Sequence, residues 1–275
     1  GDERILALRS LSQYPDFWGK HTRRGEQHGT RSLSTRAMET EPPREPLAEI
    51  PLSGGRLTPG IVRVGSTVRR PAKGNAAFVH DLLLWLEEKG FPFTPRFLGV
   101  DEQGRDILTY LSGQTWPDSG SGLSDDLLVQ VARTIRNYHD LTAGSRLAQG
   151  HEIVAHHELG PHNTIFQENH LIGFIDWDDA APGTRLRDLA NAVYNYVDVG
   201  HWSNQEASEQ ARRISLMCAA YGWDDPIALV NDFEADLQQA LCNHEQAGRT
   251  RAIKIFAEEV DWMRQRAQEL RLAFQ

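Results

Sequence analysis

Three polar side chains in the middle of the chain have the types and the order that magnesium-assisted chemistry needs. Asn163 lies five positions after Glu158, and Asp176 lies thirteen positions after Asn163. A carboxylate beside a hydroxyl group can orient it and take its proton. Amide and carboxylate oxygens are ligands that magnesium accepts, together with water and phosphate oxygens. The set therefore predicts phosphoryl transfer, with Glu158 as the base and with Asn163 and Asp176 as the metal ligands.

The loop that carries the first two of these residues has a recognisable spacing. It reads HHELGPHNTIF, or His156-x-Glu158-(x4)-Asn163. A kinase catalytic loop has this spacing, with an aspartate in the middle position and the asparagine on magnesium. We expect His156 to belong to the catalytic set by bracing the loop through hydrogen bonds.

Further polar residues flank the metal ligands. Asp176 ends an apolar strand, and Asp178 and Asp179 extend the acidic turn that follows it. Carboxylates beside a reaction site suit a cationic substrate, although such turns are also often simply solvated. The predicted substrate contacts are Asp178, Asp179 and His162. Asp188 stands at the start of a predicted helix, where a structural cap or brace is the favoured interpretation.

Two segments together, HHELGPHNTIF and LIGFIDWDDAAPGTRLRDLA, resemble the aminoglycoside phosphotransferase / choline kinase-like family, a branch of the protein-kinase fold. The matching positions are His156, Leu159, Pro161, Asn163, Ile175-Asp176-Trp177, Gly183 and Asp188-Leu189-Ala190. The resemblance covers residues 47–275 and is strongest over 150–195. It implies an α+β, two-lobed protein-kinase-like fold, with a small antiparallel-sheet N-lobe and a mostly helical C-lobe. It also implies transfer of the ATP γ-phosphate, with Mg²⁺, to a hydroxyl of an aminoglycoside-like or other small acceptor.

The same resemblance implies a nucleotide site in the first half of the chain. ILTYLSG, residues 107–113, looks like the hinge strand of the family, so the backbone of Tyr110 and Leu111 would meet adenine. Gly54 and Gly55 lie in the first hairpin turn and would contact phosphate. Arg70 stands on the strand that presents a lysine to the phosphates in the family.

Departures from the family pattern leave a second hypothesis open. Glu158 is one methylene longer than aspartate, which moves the carboxylate by about an ångström, and such a displacement can cost about 100-fold in rate. Arg70 is a planar fork where lysine is a compact point charge, and Lys73 lies past a proline. The following helix has no clear glutamate to pair with the cation, although His80 or Asp81 could stand in. The alternative is therefore a catalytically weakened, pseudokinase-like protein that binds a ligand or nucleotide.

A third and less favoured hypothesis is that the protein is a metal-dependent hydrolase. His156, His157 and His162 lie close together in sequence around Glu158, and histidines of this kind can bind zinc. However, the HExxH motif is absent, and Gly160-Pro161 prevents a helix from placing two ligands one turn apart.

Changes in composition along the chain predict its organisation. Residues 1–46 are rich in charged, Gly, Ser, Thr and Pro residues and are expected to be a disordered or loosely docked extension. Residues 47–111 are expected to form the β-rich, nucleotide-binding N-lobe, with 112–122 as the interlobe linker. Residues 123–275 are expected to form the helical C-lobe with the catalytic loop and the acceptor site. Its last four helices are predicted near 186–199, 204–221, 225–246 and 250–272.

Composition limits the partners and the compartment. The chain has 275 residues and a formal net charge of -9, which disfavours nonspecific nucleic-acid binding and weakly favours a cationic small-molecule acceptor. Its two cysteines, Cys218 and Cys242, have neither zinc-site spacing nor partners for a disulfide framework. No run of about 18 apolar residues and no signal-peptide pattern is visible, so we expect a cytoplasmic protein without a membrane span. The sequence does not fix the oligomeric state.

Overall fold

The computed structural model describes residues 47–52, 60–116 and 122–275. The predicted N-terminal extension, residues 1–46, lies outside this part of the chain. Gly54 and Gly55 of the first turn and residues 117–121 of the expected linker also lie outside it.

An antiparallel sheet forms the first described part of the chain. Its elements are β1 (Glu49–Pro51), β2 (Val62–Val64), β3 (Thr67–Pro71), helix α1 (Ala76–Glu88), β4 (Phe97–Val100) and β5 (Arg105–Thr109), with the strand order β1-β2-β3-β5-β4. The turn between β4 and β5 follows from its residues. Asp101 Oδ1 accepts hydrogen bonds from the backbone N–H groups of Gln103 and Arg105, both at 2.9 Å. Gly104 supplies the positive φ of 75° that this turn requires.

The second part is mostly helical. Its helices are α2 (Asp125–Thr142), α3 (Arg185–Val197), α4 (Ala207–Tyr221), α5 (Pro226–Gln246) and α6 (Thr250–Ala273). Its short strands are β6 (Gln114–Thr115), β7 (Ile153–Ala155), β8 (Thr164–Gln167), β9 (His170–Phe174) and β10 (Ala181–Gly183). The pairs β6–β8, β8–β9 and β10–β7 are all antiparallel. The predicted α+β fold class is therefore confirmed.

Local side-chain chemistry sets the helix boundaries. Ser124 caps α2, since its hydroxyl accepts a hydrogen bond from Leu127 N at 3.3 Å. Helix α4 begins three residues later than the sequence predicts. The hydroxyl of Ser203 accepts a hydrogen bond from Gln205 N at 3.2 Å, so that segment forms a local turn instead of a helix.

One hydrophobic core joins the sheet helix to the helical part. Leu82 of α1, Ile135 of α2, Phe174 of β9, Val193 of α3 and Ile214 of α4 all belong to it and are fully buried. Each side chain of this size contributes about 1.5–3 kcal/mol when it is buried. The core fixes the ends of β7 and β9, from which the predicted catalytic residues project. Within the described residues, no helix combines the length and the apolar character needed to cross a membrane.

Candidate active site

The two halves of the catalytic motif lie side by side. Residues 156–163 connect β7 to β8, and Asp176 follows β9. Ile175 N, immediately before Asp176, donates a hydrogen bond to the backbone oxygen of Asn163 at 2.9 Å. The structure therefore brings Asn163 and Asp176 onto adjacent stretches of backbone, with the loop that carries Glu158 beside them.

Asn163 is held within a tight turn. Its backbone N–H donates to Gly160 O at 3.0 Å, and its side-chain Nδ2 donates to Glu158 O at 3.0 Å. Only 7% of the residue is exposed. Because the amide nitrogen is already used, the amide oxygen is the remaining polar atom of this side chain, and it is the atom type that magnesium accepts.

His156 links the two halves of the catalytic motif through hydrogen bonds of its ring. It is fully buried, and its ring packs on Trp177 at a centroid distance of 4.5 Å. Nδ1 accepts a hydrogen bond from Glu158 N at 3.3 Å, and Nε2 donates one to Ile175 O at 3.2 Å. Burial lowers the pKa of His156 to about 4, so the ring is neutral near pH 7. These contacts support the bracing role that the sequence predicts.

Asp188, at the start of α3, anchors the catalytic loop. Its carboxylate is fully buried and accepts hydrogen bonds from the backbone N–H groups of His156 at 3.0 Å and His157 at 2.7 Å. His139 Nε2 donates a third at 2.9 Å. Burial alone would raise the pKa of Asp188, but the hydrogen bond from His139 lowers it to about 2. The carboxylate is therefore ionised, and its hydrogen bonds hold the backbone of the catalytic loop in place.

The residues behind this anchor are not predicted from the sequence. His139 Nδ1 accepts a hydrogen bond from the hydroxyl of Tyr221 at 2.7 Å, and that hydroxyl accepts one from Arg185 at 3.3 Å. Both His139 and Tyr221 are buried. The available signal was a histidine on the apolar face of α2, where the surrounding positions are hydrophobic.

Two residues of the site have an uncommon backbone conformation. His157 has φ 68° and Asp176 has φ 61°. Residues with side chains rarely adopt this left-handed region, and each instance costs on the order of 1–3 kcal/mol. The hydrogen bond from His157 N to Asp188 offsets part of this cost. Each half of the motif therefore contains one residue in this conformation.

The acidic turn contacts the sheet through two cations. Arg70, on β3, donates a hydrogen bond to Asp178 Oδ2 and another to Asp176 Oδ1 at 3.3 Å. Lys73 Nζ lies 2.6 Å from Asp178 Oδ2. Asp178, a predicted substrate contact, is thus already paired with Arg70 and Lys73. Burial and the neighbouring Asp178 raise the pKa of Asp176, while Arg70 opposes this shift.

The helix after β3 does not supply the expected partner of Arg70. His80 Nε2 lies 2.8 Å from Asp106 Oδ1, and the His80 ring stacks on Phe97. Asp81 pairs with Arg146 at 3.2 Å. The suggestion that His80 or Asp81 stands in for a glutamate is therefore wrong. Asp106 lies directly across from Arg70 in the sheet, and its carboxylate contacts His80.

Two further predicted contacts, Tyr110 and Leu111, are those with adenine. Tyr110 follows β5, its backbone N–H donates to Ser66 O at 2.9 Å, and its ring lies under the guanidinium of Arg63. Leu111 follows it and approaches Gly173 of β9. The adenine contacts of Tyr110 and Leu111 stay predictions.

The last two predicted substrate residues lie close to the motif. His162 sits in the short turn before Asn163, with its ring over Gly160. Asp179 is half-buried in the turn after Trp177. Their contacts with substrate stay predictions. Throughout residues 47–52, 60–116 and 122–275, no three His, Cys, Asp or Glu side chains are grouped so that they could hold a metal ion. Among these described residues, His156, His157, Glu158 and His162 therefore do not form the cluster that the zinc hydrolase hypothesis needs.

Sequence relatives match the segment that contains this site. A model of the phosphotransferase enzyme family matches residues 142–226. A trifolitoxin immunity protein from Rhizobium leguminosarum bv. trifolii is 30% identical over 162 residues, which are 53% of this chain and 61% of that protein. The chain thus aligns with less than two thirds of the length of this relative.

Solved structures share the fold at low sequence identity. The GDP complex of aminoglycoside 2'-phosphotransferase-IIIa has a TM-score of 0.56 at 13% identity, covering 80% of this chain and 93% of that one. An ethanolamine kinase from Plasmodium vivax has a TM-score of 0.53 at 13% identity, covering 84% and 82%. An aminoglycoside phosphotransferase from Streptomyces rimosus, with ADP and streptomycin, has a TM-score of 0.51 at 15% identity, covering 64% and 86%. The chain therefore has the protein-kinase-like fold, and its resemblance to the aminoglycoside phosphotransferase / choline kinase-like family is confirmed.

Proposed function

We propose that the chain is a small-molecule kinase that transfers the γ-phosphate of ATP to a hydroxyl group, with magnesium between the two lobes. The observation that carries the proposal is the joining of the two motif halves. Asn163 and Asp176 are held together by the backbone hydrogen bond from Ile175 and by the His156 ring that spans both halves. Phosphoryl transfer relies mainly on such fixed positioning.

Asn163 and Asp176 fit magnesium by their chemistry. Magnesium uses one or two protein oxygens and completes its shell with water and phosphate. The Asp176 side chain is 36% exposed, so its carboxylate is accessible to an ion, and a bound cation would oppose the raised pKa of that group. When bound, the ion would neutralise charge on the phosphate oxygens.

Glu158 would act on the acceptor. Its backbone N–H is tied to His156, and its carbonyl oxygen accepts from Asn163, so the side chain starts from a fixed position. The carboxylate would take the proton of the acceptor hydroxyl as the new oxygen–phosphorus bond forms. The bond between the γ-phosphate and ADP breaks in the same displacement.

The acceptor is proposed by class. The chain has a formal net charge of -9, which favours a cationic amino alcohol. The relative from Streptomyces rimosus was solved with streptomycin, and another relative is named a toxin immunity protein. An aminoglycoside-like or other antibiotic acceptor in the cytoplasm is consistent with both. In this proposal residues 47–111 hold the nucleotide, residues 112–122 link the lobes, and residues 123–275 hold the acceptor.

A pseudokinase-like binding protein is the second candidate. It is favoured by Glu158 in the base position and by the pairing of Arg70 with Asp176 and Asp178, which occupies groups that a nucleotide complex would use.

Replacing Glu158 by aspartate separates the two candidates. An active site adapted to the longer side chain is expected to lose about 100-fold in kcat, because the carboxylate retreats by about an ångström. Acceptor-dependent consumption of ATP, measured across a panel of aminoglycosides and amino alcohols, gives the rate.

Glu158→Gln is the matched control for that measurement. It keeps the length and removes the proton acceptor, and we expect a loss of about 100- to 10,000-fold. A large gain of activity in Glu158→Asp, from a wild-type rate near zero, would favour the pseudokinase-like alternative.

A further inference from the structure

Arg70 occupies an unusual position for a cation of the sheet. It is 9% exposed, and its guanidinium reaches across to the acidic turn, where it contacts Asp178 and Asp176. In kinases the corresponding cation is held by a glutamate on the helix that follows β3, and this ion pair is required for activity. Here, His80 of that helix contacts Asp106, and Asp81 pairs with Arg146.

We propose that Asp178 is the positioning carboxylate for Arg70 and thereby takes the role that a glutamate of the following helix has in kinases. This inference rests on the proposed kinase function and assigns to Asp178 a role in nucleotide binding, not in contact with the acceptor. Asp178 lies two residues after Asp176, so one turn would position both the metal ligand and the phosphate-binding cation.

The donor geometry of arginine explains how one side chain can serve two partners. A guanidinium has five N–H donors in a fixed fork, whereas an ammonium is a single point charge. In this structure Arg70 contacts the two carboxylates through the same terminal nitrogen, and its Nε is buried without a hydrogen-bond partner. A buried donor without a partner is costly. Arg70 therefore keeps a donor that neither carboxylate uses, while Asp178 holds the guanidinium in place.

Other contacts fix the turn on which Asp178 lies. Asn75, just before α1, donates through Nδ2 to Asp178 O at 3.3 Å and to Ala180 O at 2.9 Å. Lys73 pairs with the Asp178 carboxylate at 2.6 Å. The side chain of Asp178 is 14% exposed, so the pair with Arg70 is largely removed from solvent, where charge interactions are stronger.

A double-mutant cycle for MgATP binding tests the inference. The full chain, Asp178→Asn, Arg70→Met and the double variant are titrated with ATP in excess magnesium by calorimetry. We expect Asp178→Asn to weaken binding by roughly tenfold or more in the wild-type background, and by less than about threefold when Arg70 is already methionine. Asp178→Glu keeps the charge and is expected to lose less affinity than Asp178→Asn.

The control is Asp81→Asn, the same chemical change on the helix that supplies the partner in kinases. Its affinity for MgATP is expected to equal that of wild type. Equal losses from Asp178→Asn in both backgrounds would overturn the inference. Tighter binding in Asp178→Asn would also overturn it, because Asp178 would then compete with the phosphates for Arg70.

Two further outcomes are distinguishable. If the wild-type chain binds no nucleotide, the proposed kinase function fails. The same four proteins are then compared by the midpoint temperatures of their thermal unfolding. Coupling between Arg70 and Asp178 in the midpoint temperature would support the pair, and additive shifts would overturn it. If Asp178→Asn does not fold, Asp178→Glu takes its place in the cycle with Arg70→Met, and equal losses from Asp178→Glu in both backgrounds would contradict the inference.

Discussion

Asp176→Ala is expected to abolish phosphoryl transfer and to remove the magnesium-dependent part of ATP binding. The carboxylate is the proposed charged ligand of the metal, and the neighbouring Asn163 supplies only a neutral oxygen. Metal stabilisation of a transferring phosphate is worth several kcal/mol, so we expect a loss on the order of 1,000-fold or more. Acceptor-dependent ATP consumption measures the rate, and calorimetry with and without magnesium measures the binding.

Two further variants sharpen this prediction. Asp176→Asn keeps an oxygen ligand without its charge and is expected to fall between wild type and Asp176→Ala. Asp261→Ala removes an exposed carboxylate of α6 that pairs with Arg264, and it is expected to behave as wild type. Full activity in Asp176→Ala would contradict the assignment of the metal ligand.

Asp188→Asn is expected to destabilise the fold and to slow catalysis together. The buried carboxylate accepts hydrogen bonds from His156 N, His157 N and His139. An amide in its place presents an N–H₂ group to N–H donors, so at least one bond is lost and the loop is released. We expect a loss of about 3 kcal/mol, or roughly 10 °C in the midpoint of thermal unfolding. The value of kcat should fall more than KM rises.

The dependence of stability on pH identifies the carboxylate as the cause. The pKa of Asp188 is about 2 in the folded chain, below its ordinary value. Its contribution to the free energy of unfolding is therefore complete at neutral pH and is lost as the pH falls from about 4 through about 2. The Asn variant should lack this part of the acid dependence. A wild-type unfolding midpoint in Asp188→Asn would show that the carboxylate does not anchor the loop.

Much of the local structure follows from short-range patterns in the sequence. Apolar residues at helical spacing predict α1, and the buried positions Val79, Leu82, Leu83 and Leu86 match them. Asn163 and Asp176 lie just outside the two ends of the hairpin that β8 and β9 form, and this hairpin brings the two halves of the motif together. These features depend on neighbours within about fifteen positions, where propensity and turn chemistry decide the outcome.

Long-range partner choice could not be read from the same patterns. The Arg70–Asp178 pair joins residues 108 positions apart, and the His139–Tyr221 bond joins residues 82 positions apart. Whether Arg70 meets Asp81 or Asp178 depends on how α1 sits against the acidic turn. Several carboxylates are chemically equivalent partners, so only the packed geometry selects one.

Calorimetric titration of ATP into the wild-type chain, with and without magnesium, tests the central claim most directly. The proposed arrangement of Asn163 and Asp176 predicts saturable binding below millimolar ATP in the presence of magnesium and much weaker binding without it. No binding at millimolar ATP in excess magnesium would contradict a working nucleotide site, and the fold would then serve a purpose other than phosphoryl transfer.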